Sequence, residues 1–295
     1  MAETAAHLVD RVLPFVPVRQ WVLSLPWTLR LRLAFDPGLT RAVVGVFVRA
    51  IFGSLRRRAR GAGVPGRLDC GAVTFIQRAG GAVNLNLHLH TLVPDGVWAV
   101  VGGEHRFVEV RPLEDGEVRR VAATVARRVA RLLRRRGLLE DDAAELDEEE
   151  GLLGAIAGAS VRGRIATGPR AGQPLLRLGD RIDPEAIDWS VNPAPRCAVV
   201  DGFNVHANVR VPARDRLRLE RLARYVSRPP IASERLAELD DGRLCYGLRQ
   251  RWRDGTTHIV LEPEELIERL AALVPRPRVH SVVYHGVLAS AAAAA

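Results

Sequence analysis

Apolar side chains fall at two spacings along this chain of 295 residues, and the spacing divides it into elements. From Leu39 onward, Ala42, Val43, Val46, Phe47, Ala50, Ile51 and Leu55 keep three- and four-residue steps, which predicts an amphipathic helix. It runs into Arg56, Arg57, Arg58 and Arg60 and breaks at Gly61, Gly63, Pro65 and Gly66. Upstream, Gln20 to Leu25 reads as an extended run halted by Pro26. Residues 71–78 and 83–93 read as strands around Ala79-Gly80-Gly81-Ala82, a hairpin signal, and 97–101 with 106–110 form a second β pair. Val118, Val121, Val125, Val129, Leu132 and Leu133 mark a long helix. A Gly-, Pro- and acid-rich tract over 137–195 reads as an insert between core elements. Beyond it, strands are expected near 196–200, 203–211, 243–249, 256–262 and 279–285, with helices near 213–227 and 263–273. The whole reads as one unit over 1–288 followed by a low-complexity alanine tail at 289–295.

Composition narrows the class. With 47% apolar residues the chain has material for a sizeable core, which excludes a disordered tail and a disulfide mini-protein. Its 43 basic residues are all arginine, against 34 acids, for a net charge of +9. Guanidinium forks grip phosphate bidentately, so a polyanionic partner is expected. Much of that charge is offset locally: eight arginines between 118 and 136 are followed by eight acids between 140 and 150. Three scattered cysteines, no signal peptide and no membrane-length apolar run point to a cytoplasmic protein with no membrane partner.

The clearest chemical pattern is Asn84-Leu85-Asn86-Leu87-His88-Leu89-His90. In a strand, Asn84, Asn86, His88 and His90 share one face and the leucines pack behind. Two imidazoles at i and i+2 project in parallel and can hold one metal ion; the bland reading is a solvated polar face. A second run repeats the design, with Asn204, His206, Asn208 and Arg210 alternating against Phe203, Val205, Ala207, Val209 and Val211. Directly after it comes a helix stopped by Pro229-Pro230. There Arg214, Arg218, Arg221 and Tyr225 share a stripe apart from Leu219, Leu222, Ala223 and Val226. Cations beside a tyrosine favour its phenolate and bind phosphate, which makes Tyr225 a candidate nucleophile; the alternative is a tyrosine packing on the helix flank.

His88-Leu89-His90 with a downstream helical tyrosine resembles the HUH single-strand endonucleases. More specifically, VRQWVLSLP (18–26), the stretch 72–97, FNVHANVRVP (203–212), LARYVSRPPIA (222–232), the stretch 252–278 and YHGVLA (284–289) resemble the rolling-circle insertion-sequence transposases of the putative, or two-tyrosine (Y2), transposase family. The resemblance covers nearly the whole chain outside 137–195. It implies a metal-dependent transposase: His88 and His90 hold Mg²⁺ or Mn²⁺, and Tyr225 attacks single-stranded DNA at transposon ends. The products are a 5′-phosphotyrosine and a free 3′-hydroxyl that primes rolling-circle transposition.

The chain departs from that pattern in three places. The position one turn before Tyr225 is Arg221, so a single-tyrosine copy is expected. No cysteine precedes Cys70, so an N-terminal zinc-binding module is expected to be missing, as in a truncated copy. Pro229 stands where some relatives place a metal-binding Gln. For a third ligand, a two-residue Gly80-Gly81 turn pairs Gln77 with Asn84, about 13 Å along the strand from His88. That assigns Gln77 to DNA, together with Asn84, Asn86, Arg210, Arg214, Arg218 and Arg221. It leaves His206 as third ligand, with Asn86 as the runner-up.

Two other readings stand beside the enzyme. One is a catalytically impaired DNA-binding remnant. The other is a His-x-His metal hydrolase, against which count the absence of lysine for a carboxylated bridge and the absence of regular β–α alternation. The expected fold is α+β: a central antiparallel sheet carrying the His-x-His strand, flanked by helices in an HUH palm-like arrangement, with the Tyr225 helix across its polar face.

Overall fold

The two periodicities resolve into antiparallel sheets and the helices that cover them. The computed structural model describes residues 2–138, 151–179, 194–275, 277 and 279–289, so the acidic tract 140–150 and the alanine tail beyond Ala289 lie outside the described residues. Helix α1 (Ala2–His7) and a π turn (Leu8–Val12) precede β1 (Val18–Ser24), α2 (Trp27–Phe35) and α3 (Pro37–Arg60). Next come β2 (Leu68–Asp69), β3 (Gly71–Ala79), β4 (Leu85–Pro94), β5 (Gly96–Val101), β6 (Glu104–Glu109) and α4 (Asp115–Arg135). The tract read as an insert contributes α5 (Gly151–Arg162) and β7 (Leu176–Gly179). Then follow β8 (Cys197–Val200), β9 (Phe203–His206), β10 (Arg210–Val211) and α6 (Arg216–Val226). β11 (Leu236–Glu238), β12 (Leu244–Gly247), β13 (Thr256–Leu261), α7 (Pro263–Leu273) and β14 (Val282–Gly286) complete the order.

The main sheet runs β14-β3-β4-β1-β9-β8, with β10 also on β1, so the strand bearing both histidines is central. Its Leu87 and Leu89 join Trp21 and Leu23 of β1 against α3 and α4. The other face carries Val73, Phe75 and Leu92, packed under α1 and α6. Helix α3 starts where Asp36 accepts a hydrogen bond from Leu39 N at 2.7 Å and Pro37 fills the first position. It is long and apolar enough to cross a membrane, but 67% of that stretch is buried here as a core helix.

A second sheet, β11-β12-β13-β7, is covered by α5 and α7 and has its own core around Tyr246, Ile259 and Leu261. The run 137–195 is therefore not a mere insertion, since α5 and β7 are structural parts of this second layer. The run expected as one strand over 203–211 breaks after His206. Ala207 N donates to Arg196 O, and the chain rejoins β1 where Gln20 N donates to Val209 O and Arg210–Val211 pair with Arg19 and Val18.

The β3–β4 hairpin departs from its expected register. Its loop spans 80–84, closed by Gly80 N donating to Asn84 O, with Val83 at φ 54 and fully buried in the second core. A bulge then sets Asn86 and Leu87 against Arg78. As a result Gln77 pairs with His88, not with Asn84. The bulge also sends Leu85 into the second core while Leu87 and Leu89 stay in the first, so the three leucines do not back one continuous row.

Candidate active site

Central β4 presents His88 and His90 from its polar face, with ring centroids 5.0 Å apart. Helix α6 crosses above that face because Leu219, Leu222, Ala223 and Val226 bury their side of it there. Two anchors fix its ends. At the start, Arg216 donates to the carbonyls of Leu13 (3.1 Å) and Pro14 (3.3 Å). At the finish, Gln77 Nε2 donates to Val226 O at 2.6 Å. Tyr225, half-buried, thereby stands edge-on to His90, with centroids 5.7 Å apart and planes at 89°. Its hydroxyl meets no hydrogen-bond partner among the described residues.

The histidines are held in defined orientations. His88 Nδ1 lies 2.7 Å from Asn86 O; donating there fixes the ring and leaves the Nε2 lone pair outward. Gln20 Nε2 lies 2.7 Å from His90 Nδ1 and, as placed, donates to it, while His90 Nε2 is buried with no partner. Metal binding through His90 Nε2 therefore requires the Gln20 carboxamide to turn, so that its oxygen accepts from Nδ1–H and frees the Nε2 lone pair. Burial, then the charges of His88 and Arg228, push His90 down to about 3. Burial also lowers His88, opposed by its bond to Asn86 O and reinforced by the charges of Arg228 and Arg30. Both shifts favour the neutral imidazole, the form that can ligate a metal.

The other expected site residues divide. Gln77, assigned to DNA on the two-residue turn, sits instead directly across from His88 and grips the tyrosine helix. His206 is on the same face but pairs with Val22, which in turn pairs with His90, so about two strand spacings, roughly 10 Å, separate the two rings' backbones. Among the described residues no group of three His, Cys, Asp or Glu side chains gathers around a metal position, so His206 does not complete a cage with the pair. Asn84 and Asn86 lie against Gly80 at the hairpin tip, and Asn86 Oδ1 is buried without a partner. Arg210 is tied up by Asp95 (3.3 Å) and Glu109. Arg214, Arg218 and Arg221 are exposed on the outer side of α6 and its lead-in.

The cations beside Tyr225 are different ones. Arg228 lies 4.4 Å and Arg249 4.9 Å from the ring centroid, the second reaching across from the segment after β12. Sequence spacing did not expose them: Arg228 is a residue before the helix-stopping prolines, and Arg249 is joined to the site only by the packing of the two sheets. Of the other tyrosines, Tyr246 is buried in the second core and Tyr284 stands on edge strand β14.

A family model, Y2_Tnp, described as "Putative transposase", matches residues 71–295. No curated protein sequence and no solved structure matches the chain.

Proposed function

We propose, from the premise that this chain belongs to the putative transposase family, that it nicks and rejoins single-stranded DNA through a tyrosine-linked intermediate in rolling-circle transposition. The observation that supports the reading is the Tyr225 ring edge-on to His90, beside His88, on one face of the central sheet; we read it as an HUH-like arrangement. Tyr225 Oη attacks the phosphorus in line; the P–O3′ bond breaks, the phenol proton passes to solvent, and O3′ leaves as a hydroxyl after taking a proton. The strand's 5′ phosphate is then esterified to the enzyme, and the free 3′-hydroxyl is a primer. Attack by a 3′-hydroxyl on the phosphotyrosine reverses these bonds and regenerates Tyr225, so joining requires no nucleotide.

The donor set fits a divalent ion, Mg²⁺ or Mn²⁺. His88 Nε2 is available, His90 Nε2 becomes so once the Gln20 carboxamide turns, and Gln77, whose nitrogen is committed to Val226 O, keeps its carboxamide oxygen. Gln77 replaces His206 as our third ligand because it faces His88 directly across the β3–β4 pair. When bound, the ion polarises the scissile phosphate. Arg228, Arg249 and Arg30 supply fixed positive charge around the same place. With Tyr246 buried, Tyr284 on β14 and Arg221 one turn before Tyr225, a single nucleophile serves the cycle.

A single-stranded suicide substrate with Mn²⁺ tests this. The intact protein is expected to form a denaturant-resistant adduct, and Tyr225→Phe is expected to reduce it to background. An adduct that persists in Tyr225→Phe, or none with the folded parent, removes the assignment.

A further inference from the structure

Beside the catalytic face lies a cleft of about 1000 Å³. Its walls are the β3–β4 hairpin tip, the Pro229–Ser233 segment after α6, and Tyr246 with Arg249 of the second sheet. We propose that this cleft seats the unpaired DNA segment flanking the scissile phosphate. The proposal rests on the nicking reading and adds to it where the strand lies.

Three observations carry it. The first is charge: four arginines line the cleft (Arg78, Arg228, Arg235, Arg249) against a single acid, Glu234. Arg228 and Arg249 meet no carboxylate among the described residues, so in this structure they rest on the Tyr225 ring. Such cations are available to phosphates at the cleft mouth without breaking an existing ion pair.

The second is shape and surface chemistry. Two guanidinium–aromatic groupings, Arg228 and Arg249 on Tyr225 and Arg235 on Tyr246 at 5.0 Å, mark the mouth and the far wall. Pro229, Pro230 and Ile231 add apolar surface between them. Bases with exposed π-faces stack on such planes, whereas the paired bases of a duplex keep their faces covered. The volume is at the upper end for a small-molecule pocket, which suits a short run of nucleotides better than one compact metabolite.

The third is an unsatisfied donor. Arg78 gives its terminal nitrogens to Ala34 O (3.0 Å) and Ala272 O (3.3 Å), and these bonds hold it across the two layers. Its Nε is buried and unpartnered at a residue lining the cleft. A buried donor without an acceptor is costly, and the Arg78 charge has no carboxylate beside it among the described residues, which adds to the positive field of the cleft.

The test separates strand binding from nicking. With EDTA present, anisotropy of a short labelled single-stranded DNA should show binding that an unlabelled duplex of the same sequence competes for poorly. At Gly81 a Cβ meets open space, and the backbone there is not left-handed, so Gly81→Trp fills the cleft without touching Tyr225 or the histidines. It should weaken strand binding about tenfold or more, while Mn²⁺ binding to the histidine pair, followed by electron paramagnetic resonance, stays at the parental level. Arg235→Glu, at the far wall, should act in the same direction and guards against misfolding of the first variant. Parental single-strand affinity in both folded variants overturns the cleft proposal, as does a duplex that displaces the labelled strand as well as the unlabelled single strand does. If cleft-dependent binding survives but the parent forms no Mn²⁺-dependent adduct, the nicking reading fails and the binding site stands.

Discussion

Gln77 touches two elements: its carboxamide nitrogen holds Val226 O at 2.6 Å, and the register places the residue opposite His88. One side chain thus links the end of the Tyr225 helix to the strand that carries His88. Gln77→Ala is expected to weaken Mn²⁺ binding by about tenfold to a hundredfold. Gln77→Glu should bind Mn²⁺ at least as tightly as the parent, because an anionic oxygen takes the place of a neutral one. Mn²⁺ titration without DNA reads this directly, and a Glu variant that binds no better than the Ala variant would remove Gln77 from the donor set. That His88 and His90 share one strand face and that Tyr225 lies on a helix was legible in the sequence because strand alternation and helix spacing are local. The register of Gln77 was misread because its partner depends on a five-residue loop and a bulge, the loop being held by the burial of Val83 in another core. Arg228 and Arg249 were hidden among 43 arginines, since only three-dimensional packing distinguishes the two that reach Tyr225.

At the scale of elements, periodicity located most helices and strands to within a few residues, down to α7 at 263–273. It failed where amphipathicity is weak. Helix α5 reads GLLGAIAGASVR, Gly-rich and apolar nearly all round, and so merged with the loop-like tract about it. What joins the located elements is partly a buried charge cluster that sequence cannot show. Asp95, just after β4, accepts from Arg19 of β1 at 2.6 Å and is approached by Arg58 of α3 at 3.5 Å and Arg210 of β10 at 3.3 Å. Its backbone also closes the β1–β4 end, donating to Pro17 O. Removing the carboxylate leaves Arg19 and Arg58 buried beside each other without a counter-charge. Asp95→Asn is therefore expected to cost about 3–5 kcal/mol in urea unfolding. A loss under about 1 kcal/mol would mean that water already screens the cluster.

At the scale of the whole molecule, the sheet separates two basic surfaces. Helix α6, the cleft and Tyr225 lie over the face that carries the histidines, whereas α4 packs on the opposite face through Val118, Val121, Val125 and Val129. The α4 arginines are exposed on that far side, so a strand seated at Tyr225 does not reach them through the sheet. Net charge and local chemistry should accordingly come apart in solution. Arg127→Ala with Arg131→Ala is expected to reduce the salt slope of non-specific duplex binding by roughly two, one for each phosphate left without its guanidinium. At saturating single-stranded substrate the same variant should form the tyrosine adduct in parental yield, because no residue within reach of the phosphate has changed. A fall in adduct yield that saturating DNA does not restore would place α4 on the strand's path and require the DNA to wrap around the sheet edge. An unchanged salt slope would show that these arginines, despite their number, contribute no grip.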